Sequence, residues 1–578
     1  MKIINGAGLL AGAMILAMLA TTAPVLGRPD AATHYYVDAA VPASGNGLSW
    51  ATAFKTIKEA TQADLQPGAT VWIRPGVYHE SFSLKKSGAS VVTMTSGVTL
   101  SHSNRVTLPP GVNLAGIDLG ANPGEYVVYV ARSWRSNNGV FTITGVNAAQ
   151  RYVTVDVAGQ SFVDETGVAG DLTRVSAAVG RPIVFRKYSA NPAVERVTVD
   201  VSGIESSGIY IGKYKDPYDA DPVDFNIVDG LDVTGSYYSG YHAQSSSYNV
   251  IRNAWVYSTS LQGVGILING NADRPARYNY LIGNRIFNTP YEGVYIGAGG
   301  QPVWKNHTHF NHVIDNEIFT QGTGDLARME NAVDLKEYNQ ANVVEGNLFR
   351  DFNLYTTNNG ALDVRNEAHD SLIYGNTFRN ISRRVSGTNH IVNFYPDIQR
   401  VAFFNNVIYR QTALNDGVYA INLSGNNTVG VSIYHNTIHN IRNGLLLRYF
   451  TSDGTGSDLG VRVENNLFSG IAGAPVTEWT WNNAQGGHFT LVNNLWPSQP
   501  DAPYNTAAPA YLGAPSYANA GAGDLHLTPA SRGIDLGSAV TPAVALDFDR
   551  WPRNDGQPDL GAFEYYQLSR AYLPIAIR

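Results

Sequence analysis

The sequence predicts an all-β fold, a right-handed parallel β-helix in which coils of about thirty residues stack into a solenoid. Three observations carry this: a phrase that recurs at a fixed interval, a composition rich in turn formers, and little helical periodicity. From Val250 onward the chain repeats two apolar residues, one or two polar ones, Asn, one residue, then one or two apolar residues. The copies place Asn253, Asn284, Asn316, Asn347, Asn376, Asn406, Asn436, Asn466 and Asn494 at successive intervals of 31, 32, 31, 29, 30, 30, 30 and 28 residues. One such unit cannot bury its apolar side alone, but stacked units share a continuous core. Asn tolerates the left-handed backbone of a tight turn and bonds nearby backbone, so these asparagines are read as a structural amide ladder.

Composition points the same way. The chain holds 58 Gly and 33 Tyr, and only 15% of its 578 residues are charged. Residues Lys55 to Asp64 give the best i, i+3, i+4 pattern, so short strands and many turns are the expectation. The absence of cysteine excludes disulfides, a thiol nucleophile and a thiolate metal site. A net charge of -7 is a poor match to general nucleic-acid binding, which needs a broad basic footprint, yet a local basic patch suffices for an acidic polymer.

Residues 1–27 read as an export signal: Lys2, an apolar stretch from Gly8 to Ala23, and small residues near Gly27. No later segment is long and apolar enough for a membrane span. The expected product is therefore a secreted or cell-surface protein, monomeric, with a signal at 1–27. Residues 28–123 then form an N-terminal cap and first coils, and 124–188 a small β insertion with alternating strands such as Val140 to Ile143 and Tyr152 to Val155. The coils occupy 189–500, and 501–578 form a C-terminal cap module.

Tyr35 to Val37, an amphipathic helix from Lys55 to about Ala63, and Val71 to Ile73 follow one another as strand, capping helix and first coil. This resembles the opening segment of extracellular β-helix proteins related to pectate lyases. The C-terminal residues Asp547, Asp549, Asp559 and Glu564 resemble the closing module of surface-exposed bacterial β-helix proteins, where acidic residues serve a cap or a cation.

Each coil carries a second strand after its Asn, and alternation fixes which residues face out. One outward column runs Leu267, Tyr295, Asp334, Asp363, Asn393, Asn422, Leu446. The other runs Asn269, Gly297, Lys336, Arg365, Tyr395, Ser424, Arg448. The charges occupy only the middle coils, which marks a site. A solvated face with weak ion pairs, each worth roughly 0–1 kcal/mol, is the plain alternative. Like charges beside each other along a column are disfavoured, and crossed pairing of Asp with Lys or Arg, a ligand or a cation would relieve them.

The stretch Glu330 to Lys336, Gly346-Asn347-Leu348-Phe349, Leu362 to Arg365 and Gly375-Asn376-Thr377-Phe378 resembles the catalytic coils of polysaccharide lyases acting on alginate and on chondroitin or dermatan sulfate. That resemblance implies Lys336 as base and Arg365 as acid. It also implies a Ca2+ site among acidic residues, here Glu330, Asp334 and Asp363, although Asn331 stands where a Glu is expected. The 29 residues from Lys336 to Arg365 are also a long spacing. Asp334, Asp363, Asn393, Tyr395 and Tyr295 are the expected substrate contacts. The implied reaction is β-elimination in a uronic-acid polysaccharide, with a lysine whose pKa is drawn towards about 7–8. Tyr338 is a further ring for stacking or proton donation.

Two other readings stand beside it. Asp334 and Asp363, one coil apart, approximate the ~5 Å carboxyl separation of retaining glycoside hydrolases, and a non-catalytic glycan-binding surface needs no reaction at all. His307, His309 and His312 suggest a metal cluster, although their places in a loop and at a strand start fit packing. His369 and His390 flank the face as auxiliary bases, and Trp479 and Trp481 fall in a late coil where packing is expected.

Overall fold

The structure is a computed structural model and describes residues 34–566, apart from 205, 213–220, 262, 272, 298–306, 323–327, 352, 355–358, 384–389, 413–415, 426–427, 450–459, 481–488, 501–503, 505–510, 542 and 554–555. The expected signal at 1–27 and Trp481 lie outside the described residues. Among them, no helix is long and apolar enough to cross a membrane.

Three long parallel sheets, called A, B and C here, carry 13, 13 and 11 strands among the described residues. The chain visits them in turn. Val343–Glu345 lies in A, Leu348–Arg350 in B and Leu362–Val364 in C, before Leu372–Tyr374 returns to A. This is the parallel β-helix. Right-handed crossover is the hand that twisted strands favour. One core runs its length, with Val333, Leu335, Val344, Phe349, Leu362, Val364, Ile373, Phe378, Val392 and Phe394 all shut off from solvent.

The amide ladder holds the coils in register. The Asn376 side-chain oxygen accepts from the Asn347 backbone N–H at 3.0 Å and from its side-chain amide at 2.9 Å. The same pair of bonds links Asn284 to Asn316, Asn316 to Asn347, Asn376 to Asn406, Asn406 to Asn436, Asn436 to Asn466 and Asn466 to Asn494. Two details differ from the sequence expectation. The left-handed residue is the one before each ladder Asn, for example Gly346 (φ 67°), Gly375 (φ 65°) and Asn405 (φ 51°). Asn253 (φ 57°) occupies that preceding position, and Ala254 stands on the ladder, its N–H donating to Asn284 at 3.1 Å. A second ladder, absent from the sequence expectation, runs Asn226, Asn249, Asn279, Asn311, Asn342 at the turn into sheet A. It is shorter and gives way to Ser371 and then Val401.

The N-terminal helix is a single turn, Ile57–Ala60, closed by a Thr56/Glu59 capping box and by the Thr61 hydroxyl on the Lys58 carbonyl at 2.8 Å. It is shorter than expected because that cap ends it before Ala63. The inserted sheet is eight-stranded and antiparallel, with strands from Ala89–Ser96 to Ser176–Arg181. It therefore starts well before residue 124, and Ile183–Lys187 already belongs to sheet A. It has its own core around Val98, Val128 and Val153 and docks on the outside of sheet A. There the Tyr280 hydroxyl donates to Val130 at 3.0 Å, Asn138 donates to Glu345 at 2.7 Å, and Trp134 stacks on Phe404.

The C-terminal residues run back along the flank. Val540 packs with Val343, Leu372, Phe404 and Tyr434; Leu560 packs with Leu467 and Leu495; Asn405 donates to the Leu546 carbonyl at 2.7 Å. Their acidic groups serve the turn itself. Asp559 accepts the Asp535 and Tyr565 N–H groups at 2.7 and 2.6 Å, Asp547 those of Trp551 and Glu564 at 2.7 and 3.0 Å, and Glu564 pairs with buried Arg553 at 2.6 Å. The contacts of the insertion and of Val540, Leu546 and Leu560 described above fall on sheets A and B, and Tyr504 reaches sheet C at Glu478 of a late coil, at 3.1 Å.

Removing a ladder rung strips two donors of Asn347 of their acceptor in a dry turn. Asn376→Ala is expected to cost about 1–3 kcal/mol. Asn253→Gly, at a position that glycine fills in other coils, is expected to stay within about 0.5 kcal/mol. Denaturant unfolding of the two variants checks the assignment.

Candidate functional site

Sheet C places the two columns where alternation puts them. Leu267, Tyr295, Asp334, Asp363, Asn393, Asn422 and Leu446 are successive cross-strand partners. Backbone bonds from Lys336 to Ile296, Arg365 to Leu335 and Tyr395 to Val364, each 2.9 Å, carry the register one residue further. Lys336 and Arg365 are thus on neighbouring coils.

Their charges cross-link the columns. Lys336 Nζ is 2.7 Å from Asp334 Oδ2. Arg365 Nη2 reaches Asp334 at 3.1 Å and Asp363 at 2.9 Å, and its Nε donates to Asp334 Oδ1 at 3.2 Å. One guanidinium therefore bridges two stacked carboxylates that would otherwise repel. Each cation also lies over a ring of a neighbouring coil: Lys336 Nζ is 4.6 Å from the Tyr295 centroid and the Arg365 guanidinium 4.4 Å from that of Tyr395. Such contacts favour the charged form. The carboxylates are fully buried, whereas Lys336 and Arg365 keep 13% and 14% of their side chains exposed. The cations are the part of this cluster that reaches solvent.

A residue outside the expected set completes it. Glu292 pairs in register with Asn331, and its Oε1 lies 3.8 Å from Lys336 Nζ. Burial, with Asp334 nearby, pushes its carboxyl up to about 8. Burial also raises Asp363 against the pull of Arg365. The strand was read from Val294, and strict alternation from there would turn Glu292 inward; the pairing is irregular at this strand start, where a Cβ on Gly293 would meet Ile318, and that leaves Glu292 beside Lys336.

Lys336 departs from its expected electrostatics. Burial works to depress it, but Asp334 and then Tyr295 outweigh burial and hold the ammonium above its ordinary range. Lys336 is a cation here, and a base with a pKa drawn to neutrality is not what this geometry makes. The expected effect of Arg365 on it is present but smaller than that of Asp334.

The expected calcium ligands are not gathered for a metal. Glu330 accepts from the Asn359 amide at 2.6 Å, while Asp334 and Asp363 face Lys336 and Arg365. Two cations fill the space a Ca2+ would need, so this set does not fit Ca2+. Among the described residues, no three His, Asp or Glu side chains group as a metal site. The histidines agree. His307 and His309 are 3.3 Å apart, whereas buried His312 stacks on Tyr280 and accepts from the Arg132 N–H of the insertion.

The remaining expected contacts differ in accessibility. Asn393 is buried and accepts from Asn422 at 2.6 Å. Tyr395 is part-buried, with its hydroxyl donating to Asn359 at 3.3 Å. Burial, with Arg448 beside it, depresses His390 to about 3, which leaves it a neutral packing residue. His369 joins a row of bridges, Gln340–His369–Gln399, at the turn beyond sheet C. Trp479 is 45% exposed, with Arg448 over its ring at 5.0 Å, so it is not packed away.

Solved structures share the architecture. A complex of XylC with xylose is 11% identical, covering 92% of this chain and 98% of that chain, with a TM-score of 0.42. Pectate lyase Pel9A is 15% identical over 92% and 96%, with a TM-score of 0.39, and an alginate lyase from Paenibacillus sp. str. FPU-7 is 13% identical over 71% and 94%, with a TM-score of 0.37. These are likenesses of fold, and they carry no residue of the site across. No protein-family model matches the chain, and no curated protein matches it.

Two measurements test the cluster. Arg365→Ala leaves Asp334 and Asp363 facing each other without their bridge, and is expected to destabilise the protein by about 3–5 kcal/mol. Glu292 sets a pH trend. Its folded pKa of about 8 lies above the ordinary 4.5, so between those values the folded state holds the extra proton. Stability then falls as pH rises from about 4.5 to about 8. In Glu292→Gln this part of the slope is expected to vanish in denaturant unfolding at pH 5 and pH 8.

Proposed function

We propose that the chain is a secreted protein that cleaves a uronic-acid polysaccharide by β-elimination on the outer face of sheet C. The observation that supports this most is the placing of two partly exposed cations, Lys336 and Arg365, beside a carboxyl, Glu292, whose pKa is pushed up to about 8. Cations suit an acidic sugar. A base with pKa near the working pH suits proton abstraction.

In this mechanism Arg365, whose planar guanidinium matches a carboxylate, and Lys336 neutralise the uronate carboxylate, which acidifies the C5 proton. The ionised Glu292 takes that proton. The C5–H electrons form the C4–C5 double bond, the C4–O4 bond breaks, and the Lys336 ammonium protonates the departing O4. Glu292 and Lys336, 3.8 Å apart, then return the proton between them. Tyr295 and Tyr395 flank the cations and present ring edges to the sugar. The base role moves from Lys336, the expected holder, to Glu292.

The hydrolase reading has one specific point in its favour: Asp363 is raised and Asp334 is its register partner. It is weaker because both carboxyls are fully buried and share one guanidinium, which leaves no space for a glycosidic oxygen between them.

Incubation with alginate, pectate, chondroitin, dermatan and neutral glycans tests the proposal. The expected product is an unsaturated sugar absorbing near the ultraviolet edge, from an acidic glycan only. Lys336→Ala is expected to abolish it, and Glu292→Gln to lower kcat by about 10²–10⁴-fold and to remove a rate limb that rises through about pH 8. Reducing ends without absorbance would shift the assignment to Asp334 and Asp363. Retention of polymer with no product would make the face a binding surface.

A further inference from the structure

A concavity lies a few coils towards the N-terminus from the cationic cluster. Where sheet B turns into sheet C, a cleft of about 510 Å3 opens between three successive coils, lined by Gly203, Ile204, Tyr237, Ser258, Thr259 and Leu261 among others. Its character is opposite to that of the cationic cluster. None of the described residues lining it is charged. Ile204, Tyr237 and Leu261 are 38%, 42% and 48% exposed. Tyr238, 58% exposed, meets Tyr237 edge-on at 4.7 Å between ring centroids. Large apolar groups left in water on a turn need a reason.

The cleft is held in shape by its own backbone. The Tyr237 N–H donates to the Ser206 carbonyl at 2.9 Å, Ser260 donates from its hydroxyl to Tyr237 at 2.6 Å and from its N–H to Ser236 at 2.8 Å, and the Thr259 hydroxyl donates to Gly263 at 2.9 Å. At Gly203 (φ 77°) an added Cβ would meet nothing within 4 Å, so the cleft is open there. Exposed aromatic and aliphatic faces, with no charge among the described lining residues, match the apolar C–H face of a neutral sugar ring.

Register gives its relation to the site. Ser239, two residues after Tyr237, pairs with Val264, and Ile266 pairs with Val294, which sets Val264 level with Glu292. Glu292 is therefore two coils from the cleft and Asp334 three, or ~10 and ~14 Å along the axis at strand spacing. That span is roughly two or three sugar units.

We infer that this cleft is a binding subsite for a neutral sugar in the same polymer whose uronate sits at Lys336 and Arg365. The substrate is then a heteropolymer in which an acidic unit and a neutral unit recur a few residues apart, and its chain runs along the solenoid axis. This rests on the reading of sheet C as the uronate site, and the test separates the two.

Affinity electrophoresis with the full protein is run in gels holding xanthan or gum arabic, which mix uronate with neutral sugars, or alginate or polygalacturonate, which do not. The variants are Tyr237→Ala, Leu261→Arg and Lys336→Ala. These cleft positions are exposed, and circular dichroism confirms that each variant is folded. The expected result is retardation of the wild type in a mixed polymer, weakened about tenfold by Tyr237→Ala, the loss of one stacked ring, and abolished by Leu261→Arg. Retardation in alginate or polygalacturonate is expected to be unchanged by either cleft variant. Equal retardation of wild type and both cleft variants in the mixed polymers overturns the subsite, as does no retardation of the wild type in them. If Lys336→Ala keeps full retardation and cleavage while Tyr237→Ala weakens binding, the subsite stands and the uronate reading falls.

Discussion

The constraint on which everything else depends is register between coils. Strand alternation has a period of two, so a slip of one residue would turn Asp334 and Asp363 inward and Val333 and Leu335 out to water. The buried asparagine ladder opposes such a slip. Each amide accepts twice from the coil before it and donates to backbone carbonyls, so a displaced coil would leave several polar groups unsatisfied in a dry turn. Tens of residues separate Glu292, Lys336 and Arg365 in the chain, and only this locking makes them neighbours.

The electrostatics of the site follow from packing like charges in columns. Stacked carboxylates at Asp334 and Asp363 are unfavourable by themselves, and burial makes them more so. Arg365 resolves the conflict by reaching back one coil, which leaves its remaining edge and that of Lys336 directed outward. The carboxylates thus act as an internal counterweight that orients two cations. Burial, with Asp334 and then Glu330, keeps a proton on Glu292 near neutral pH. A strongly basic cluster and a proton acceptor coexist because Asp334 serves both.

The coil architecture and the two columns were legible in the sequence because they repeat: an error at one coil is corrected by the next. What does not repeat was harder to read. Asn253 carries the right side chain one residue out of phase, a displacement visible only when Ala254 is seen bonding to Asn284. The N-terminal edge of the insertion was missed because strands such as Thr99–Ser101 and Arg105–Thr107 are too short to announce a change from parallel to antiparallel pairing. Glu292 was missed because the strand was read from its apolar run, and the polar residue at its start was left to the turn. The direction of the Lys336 shift depends on a 2.7 Å contact within its own strand, for which sequence spacing gives no measure against the influence of Arg365.

The C-terminal segment has a consequence for synthesis. Val540 covers Val343, Leu372, Phe404 and Tyr434, residues made more than a hundred positions earlier. Chains fold from the N-terminus as they emerge, so the central coils complete their stack with this strip covered only in part, by Trp134 of the insertion. The last part of the polypeptide completes the cover. The interval between the two events is when the nascent chain most needs protection from self-association, and loss of Val540 and its neighbours would leave the rest of the strip open.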